Sequence, residues 1–301
     1  MIPYFQIPSL PIFDGVAIHP FGVLVATGIL SGAMLTRRRG QQLGLDDDLV
    51  KNMIFWSVAT GLLMAHFLDV LVYQKHPDVG ATLRALADPR SGLSSMGGFF
   101  GAVLGLLVWC RRNGQKVLPY ADSLAYGLAL GWFFGRMGCY VAHDHPGFRT
   151  DFFLGVDYPC AAAHCPATDG FHVFTDPKFR RHDLGFYEVL VAGTLATFYG
   201  IADRFRPRIG FFVAAIALYY GPVRFLLDYL RVNFQEGGDP RWFALTPAQY
   251  AAIAVMGIGV ALAVKVARLT PAQIAAYRPD HGADNGTDTG AGGAQAKPAS
   301  A

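Results

Sequence analysis

Seven long apolar runs constrain this chain more than any other feature. A helix that crosses a bilayer needs about 20 mostly apolar residues. Candidate runs lie at roughly 17–36, 50–73, 95–110, 121–142, 184–202, 209–230 and 247–267. Charged residues make up 16% of the 301 residues, well below the figure of about 25% for soluble domains. The sequence therefore predicts an all-α, polytopic membrane protein with about seven transmembrane helices.

The basic residues indicate how such a bundle is oriented. Clusters follow the first, third, fifth and seventh runs, at Arg37–Arg39, Arg111–Lys116, Arg204–Arg208 and Lys265–Arg268. Because basic loops stay in the cytoplasm, the pattern predicts an outer N-terminus and a cytoplasmic C-terminus. The end of the fourth run and the loop at about 143–183 then lie on the outer face. The formal net charge of +3 is too small to indicate a nucleic-acid partner.

Composition also divides the chain. Residues 1–270 form the predicted membrane domain, with the long outer loop at about 143–183 as a functional loop or small cap. Residues 271–301 are mostly small and polar, so they are predicted to be a disordered cytoplasmic tail. Cys160 and Cys165 share the outer loop and could pair if it faces an oxidising compartment. Whether they do, and the oligomeric state, are left open by the sequence.

The stretch GRMGCYVAHDHPG, Gly135–Gly147, ends the fourth run. Arg136, Tyr140, His143 and Gly147 recur at helical spacing, and ionisable groups at a membrane helix end indicate a functional site. In that interpretation Arg136 binds a phosphate or carboxylate and a histidine titrates nearby. The alternative is a snorkelling arginine followed by a water-facing loop.

The same stretch contains residues that could bind a metal. Cys139, His143, Asp144 and His145 are possible ligands, but no second ligand pair has a recognised spacing. The sequence therefore predicts neither a metal nor another cofactor.

A second charged cluster lies in the sixth run, YGPVRFLLDYLR. Tyr220, Arg224, Asp228 and Arg231 share one helical face. An ion pair between Arg224 and Asp228 would neutralise both charges, yet two arginines with one acid leave a surplus positive charge suited to an anion.

Several motifs together resemble the prolipoprotein diacylglyceryl transferase family, over residues of about 12 to 268. The segments that carry the resemblance are HPFG at 19–22, SGLSSMGG at 91–98, GRMGCYVAHDHPG at 135–147, RHDLGFYE at 181–188, YGPVRFLLDYLR at 220–231 and LTPAQY at 245–250. Each motif alone is weak, but six in the same order indicate shared fold and ancestry.

The resemblance implies a reaction. A lipobox cysteine thiol of a preprolipoprotein attacks the glyceryl carbon of phosphatidylglycerol, glycerol phosphate leaves, and a diacylglyceryl thioether remains. It implies a bacterial inner-membrane enzyme whose active site faces the outer leaflet. The implied substrate-binding residues are Arg136, Arg224, Gly147, Tyr220, Arg231, Glu188, His19, Gly97 and Gly98.

The chain departs from the family pattern at three informative positions. Met96 replaces a histidine, Phe21 a tyrosine and Cys139 an asparagine. One hypothesis is that the chemistry uses a relocated base, His143 or His145, held by Asp144. A second is a divergent protein that binds an anionic lipid, modifies another acceptor or has no catalytic activity. A third hypothesis is a small transporter, since polar residues in membrane helices can mark a pathway. The sequence shows no inverted repeat that would support it.

Overall fold

The computed structural model describes residues 2–13, 16–74, 76–88, 92–159, 178–232 and 241–277. Cys160 and Cys165 lie outside these ranges, as do residues 278–301. The helices are α1 (Pro20–Gln42), α2 (Asp47–Leu68), α3 (Val79–Ala87), α4 (Ser95–Arg112), α5 (Val117–Ala142), α6 (Leu184–Asp203), α7 (Phe211–Leu227), α8 (Pro247–Ala267) and α9 (Pro271–Ala275). A π-helical turn, Asp69–Tyr73, extends α2, and a 3₁₀ turn, Asp228–Leu230, extends α7.

The predicted membrane character is confirmed in its coarse form. Within the described ranges, five helical stretches are long and apolar enough to cross a bilayer: Pro20–Gln42, Asp47–Val72, Leu184–Asp203, Phe211–Leu230 and Pro247–Ala267. Helices α4 and α5 occupy the other two predicted runs but do not meet that criterion. Helix α5 contains Asp122 and Arg136, which are buried inside the protein.

The fold is mostly helical, but the all-α prediction omitted two small sheets. The first has the strand order β1-β5-β6-β4, from β1 (Ile2–Pro3), β4 (Pro146–Arg149), β5 (Val156–Pro159) and β6 (Lys178–Asp183). The second is a hairpin of β2 (Leu10–Phe13) and β3 (Val16–Ile18). The strands escaped prediction because they are short, and those of the first sheet also pair across long sequence separations. Ile2, for example, pairs with Val156.

Glycine determines how α4 packs on α2. A Cβ atom at Gly97 would lie 2.4 Å from the Met64 carbonyl oxygen, and one at Gly101 would lie 2.5 Å from that of Thr60. Real Cβ atoms do not approach so closely, so only glycine permits this contact. Small residues at such a contact are typical of helices that pack closely in a membrane.

Helix α5 makes a similar contact with α1 rather than with α4. A Cβ at Gly28 of α1 would lie 2.7 Å from the carbonyl oxygen of Gly131 on α5. Helix α6 also packs on α5, and α7 packs on α8. Helix α5 is therefore central, which brings its C-terminal end against neighbouring helix ends.

At the opposite end of α5, arginines near the C-terminal end of α1 form ion pairs with acidic side chains. The buried Arg39 guanidinium donates to Asp122 Oδ2 at 2.9 Å, and Asp122 Oδ1 accepts from the Phe212 backbone N–H at 2.8 Å. Arg38 pairs with Asp203 at 3.0 Å. These ion pairs join α1, α5, α6 and the start of α7 at the end away from Gly135–Gly147.

Candidate active site

The centre of the site is Glu188, in the second turn of α6, with an arginine on each side. Its Oε2 lies 2.7 Å from Nε of Arg136 on α5, and its Oε1 accepts a hydrogen bond from Arg224 Nη1 of α7 at 3.4 Å. The Glu188 side chain is 1% exposed, and the two arginine side chains are 10% and 13% exposed. Three helices thus bring residues 136, 188 and 224 of the sequence together, as the predicted substrate site requires.

A second buried acid extends the cluster. Asp228 Oδ1 accepts from Arg224 Nη2 at 3.0 Å and lies 3.9 Å from Nη1 of Arg231. The Thr246 hydroxyl donates to Asp228 Oδ2. Among the described residues, Asp228 therefore contacts two arginines, and Arg224 joins it to Glu188. The intrahelical ion pair between Arg224 and Asp228 that the sequence favours is present.

Two predicted residues support this cluster. The Tyr220 hydroxyl interacts with Arg136, and its ring packs edge-on against Trp132 with centroids 4.7 Å apart. Gly147 meets other backbone at close range, since a Cβ there would lie 2.4 Å from the Leu230 carbonyl oxygen. Only glycine lets the Gly147 bridge to Arg231 form.

His143 ends α5 in the left-handed conformation, with φ of 51°. Its ring is buried: Nδ1 lies 2.9 Å from Asp183 Oδ2 and Nε2 lies 3.0 Å from the Phe5 carbonyl oxygen. A carbonyl oxygen and a carboxylate both accept, so both ring nitrogens face acceptors. In this arrangement both ring nitrogens of His143 are occupied, which favours a positioning role for it, and the base role suggested for His143 stays a prediction.

His143 instead holds the outer sheet onto the bundle. The Tyr158 hydroxyl of β5 donates to the same Asp183 oxygen at 2.7 Å, and Asp183 Oδ1 caps α6 through the Phe186 N–H at 2.9 Å. Burial, reinforced by the Asp183 charge, raises the pKa of Tyr158 far above its ordinary value, so its hydroxyl remains a donor. The bonds of Asp183 to His143 and Tyr158 join segments that are far apart in the sequence.

Comparison with known proteins agrees with this geometry. The family described as prolipoprotein diacylglyceryl transferase matches residues 9–265. The chain belongs to this family. A phosphatidylglycerol–prolipoprotein diacylglyceryl transferase of Clostridium tetani is 25% identical over 252 residues, covering 82% of this chain and 92% of that protein. Similarly named proteins of Pseudomonas putida and a Janthinobacterium species are 26% and 28% identical, covering 87% and 73% of this chain and 95% and 80% of theirs.

Cys139, one of the three departures from the family pattern, lies beside Arg136 at one corner of the site. Cys139 Sγ lies 3.9 Å from Arg136 Nη1. His145 is half-buried, and its Nδ1 bonds to the exposed Asp144. Ligand atoms of Cys139, Asp144 and His145 lie within 4.8 Å of one another, a donor set that could hold a transition metal. The sequence prediction of no metal stays a prediction.

The other predicted residues of the transferase site take structural positions. Gly97 packs on α2, and Gly98 lies beside it, where a Cβ would be 3.7 Å from Ala65 Cβ. His19 precedes α1, is exposed, and its Nδ1 bonds to the Ser9 hydroxyl at 2.6 Å. Phe21 packs against Gly138 of α5. Their substrate-binding roles stay predictions.

Proposed function

We propose that this protein transfers the diacylglyceryl group of phosphatidylglycerol to the lipobox cysteine thiol of prolipoproteins. The observation that supports this most directly is the pair of buried arginines, Arg136 and Arg224, that Glu188 holds in one site. Family membership supports the same reaction, since the relatives' names specify this lipid and this acceptor.

The arginine cluster is the proposed phosphate site. The thiol sulfur attacks the glyceryl carbon, the carbon–oxygen bond to phosphate breaks, and glycerol phosphate leaves with the bonding electrons. The leaving phosphate gains one negative charge in that step. Fixed guanidinium groups in a poorly hydrated site stabilise such charge as it develops, and arginine offers the paired N–H groups that phosphate oxygens accept. Arg231 and Tyr220 complete this side of the site.

The proton of the acceptor thiol goes, in this proposal, to His145. The Nδ1 atom of His145 is held by Asp144, and among the described residues no hydrogen-bond partner is found for Nε2. This arrangement orients the ring and directs its second nitrogen outward, as a general base requires. His145 thus replaces the family histidine whose position Met96 occupies, and His143 has a positioning role through Asp183.

We further propose seven membrane spans, with the N-terminus outside and the arginine cluster at the outer leaflet of a bacterial inner membrane. The basic clusters after α1, α4, α6 and α8 support this topology. Helices α4 and α5 are less apolar than usual spans, but buried polar groups are tolerated where a helix packs among others. Asp122 and Arg136 are both buried in this way.

Transfer is tested with purified protein, phosphatidylglycerol vesicles and a lipobox peptide, followed by the peptide mass. We expect a diacylglyceryl adduct with the wild-type chain, a loss with Arg136→Ala, and no change with Arg112→Ala, an exposed arginine at the end of α4 away from the arginine cluster. An inactive wild-type protein that still binds the vesicle lipid would instead support the anionic-lipid-binding alternative. That alternative is favoured by the departures at Phe21, Met96 and Cys139.

A further inference from the structure

A tight turn immediately before α8 presents two large aromatic side chains to the surroundings. Trp242 and Leu245 form an antiparallel bridge in which each backbone N–H donates to the other's carbonyl, at 2.8 and 3.0 Å. The two residues between them, Phe243 and Ala244, make the turn. Phe243 is 97% exposed and Trp242 is 58% exposed.

The backbone of this turn is unfavourable for its residues. Phe243 and Ala244 have φ angles of 49° and 66°. A two-residue turn with both φ values positive is the type I′ geometry, which prefers Asn-Gly. Holding residues other than glycine there costs on the order of 1 kcal/mol or more each. Phe243 therefore lies at the tip of the turn in a backbone conformation that phenylalanine does not favour.

Neighbouring contacts hold the turn in place. The Tyr250 hydroxyl donates to the Trp242 carbonyl oxygen at 2.8 Å, and the Arg241 guanidinium lies over the Tyr229 ring, 5.9 Å from its centroid. A chain of bonds also leads from the turn to the arginine cluster: Thr246 caps α8 and donates to Asp228, which pairs with Arg224. The turn is thus fixed at the same end of the bundle as the candidate active site.

The surface around the turn is apolar and aromatic. Leu226 and Tyr229 at the end of α7 are 64% and 44% exposed, and Tyr250 and Ile253 on α8 are 39% and 45% exposed. These residues continue the exposed face of two helices that are apolar enough to cross a bilayer. Tryptophan and tyrosine at the end of a spanning helix, with an arginine beside them, are characteristic of the headgroup level.

We propose that the turn Trp242–Leu245 inserts into the lipid interface of the leaflet that supplies the substrate. Phe243 enters the acyl region, Trp242 and Tyr229 lie at headgroup level, and Arg241 faces lipid phosphate. The strained turn fixes the depth of the bilayer surface relative to the arginine cluster. The lipid contact does not depend on the proposed function. The expected effect on KM does depend on the proposed function, because a displaced leaflet surface would weaken capture of vesicle lipid.

Lipid contact is measured by tryptophan fluorescence in vesicles of phosphatidylglycerol and phosphatidylcholine with brominated acyl chains. Trp56 is also exposed, at 47%, so the signal of Trp242 is taken as the difference between wild type and Trp242→Phe. We expect this difference signal to be quenched, and more strongly when the bromines lie near the headgroup. Trp109→Phe is the matched control, because Trp109 is 3% exposed. If the brominated lipids do not quench Trp242, the proposal is wrong. It is also wrong if a lipobox peptide quenches Trp242 and the lipids do not.

The kinetic consequence is tested with Phe243→Asn/Ala244→Gly, which gives the turn its preferred residues and removes the aromatic side chain. We expect its KM for vesicle lipid to rise about three- to tenfold, the upper value corresponding to about 1.4 kcal/mol, with kcat unchanged. Ala244→Gly alone and Phe205→Ser, which alters an 80% exposed phenylalanine in the α6–α7 loop, should keep the wild-type KM. An unchanged KM in the double variant refutes the kinetic part. Absence of transfer by wild type refutes the proposed function but leaves the quenching result decisive for lipid contact.

Discussion

Replacing Glu188 by glutamine tests the charge balance of the site. The substitution keeps the shape of the side chain and removes the one acid that contacts both Arg136 and Arg224. The net charge of the cluster rises by one. We expect the protein to become less stable and, at the same time, better able to bind phosphate.

The expected magnitude follows from burial. Glu188 is 1% exposed and its two arginine partners are 10% and 13% exposed, so water compensates little for the lost carboxylate. Removing one partner of a buried pair costs about 3–5 kcal/mol. Glutamine retains an acceptor oxygen, which places the expected loss near the lower value, about 3 kcal/mol.

The assay is a denaturant titration of the detergent-solubilised protein, with and without glycerol phosphate. An anion that replaces the missing carboxylate binds the folded state, and at 100 times its Kd it restores about 2.7 kcal/mol. We therefore expect glycerol phosphate to stabilise Glu188→Gln more than it stabilises wild type.

Asp122→Asn is the matched control, since Asp122 is also buried and pairs with an arginine, at the opposite end of α5. It should be destabilised without rescue, because the partner Arg39 is enclosed by Phe212 and the Pro207 carbonyl. Equal stabilisation of both variants by glycerol phosphate, or a Glu188→Gln protein as stable as wild type, would refute the reasoning.

Three further predictions concern the histidines and the helix packing. His145→Ala should lower kcat about 10²- to 10⁴-fold with little loss of stability. His143→Ala should instead cost about 1–3 kcal/mol of unfolding free energy, because it leaves buried acceptors unpaired. The reverse pattern in rate and denaturation measurements would contradict both roles. Gly97→Ala should lower the free energy of unfolding by about 1–3 kcal/mol through overpacking. Gly257→Ala, whose Cβ would meet nothing within 4 Å, should be neutral or stabilising by about 0.5–1 kcal/mol. Similar denaturant-titration midpoints for the two variants would disprove the packing argument. Burial lowers the pKa of His182, so near the ordinary histidine pKa of about 6.5 the unfolded chain binds more protons than the folded chain. The free energy of unfolding should therefore fall as the pH drops through that value, and it should fall less in His182→Gln. Identical pH profiles of the two proteins would count against this prediction.

The sequence predicted correctly what depends on local composition. Apolar runs of spanning length gave all seven long helices, because a helix satisfies its own backbone hydrogen bonds wherever the side chains are apolar. Helical spacing also placed Arg224 and Asp228 in contact, since residues four apart lie on one face. The arginines of the site were recognisable because charged groups in apolar runs are costly and therefore informative.

What the sequence could not determine is the pairing between distant segments. Nothing local shows that Glu188 lies between Arg136 and Arg224, or that His143 bonds to the Phe5 carbonyl while His145 bonds to the neighbouring Asp144. The two histidines are the same residue type two positions apart, and their different roles arise only from what packs against each. Sequence spacing thus identified the candidate groups, and tertiary packing decided their roles, because burial and hydrogen-bond partners are properties of the folded surroundings.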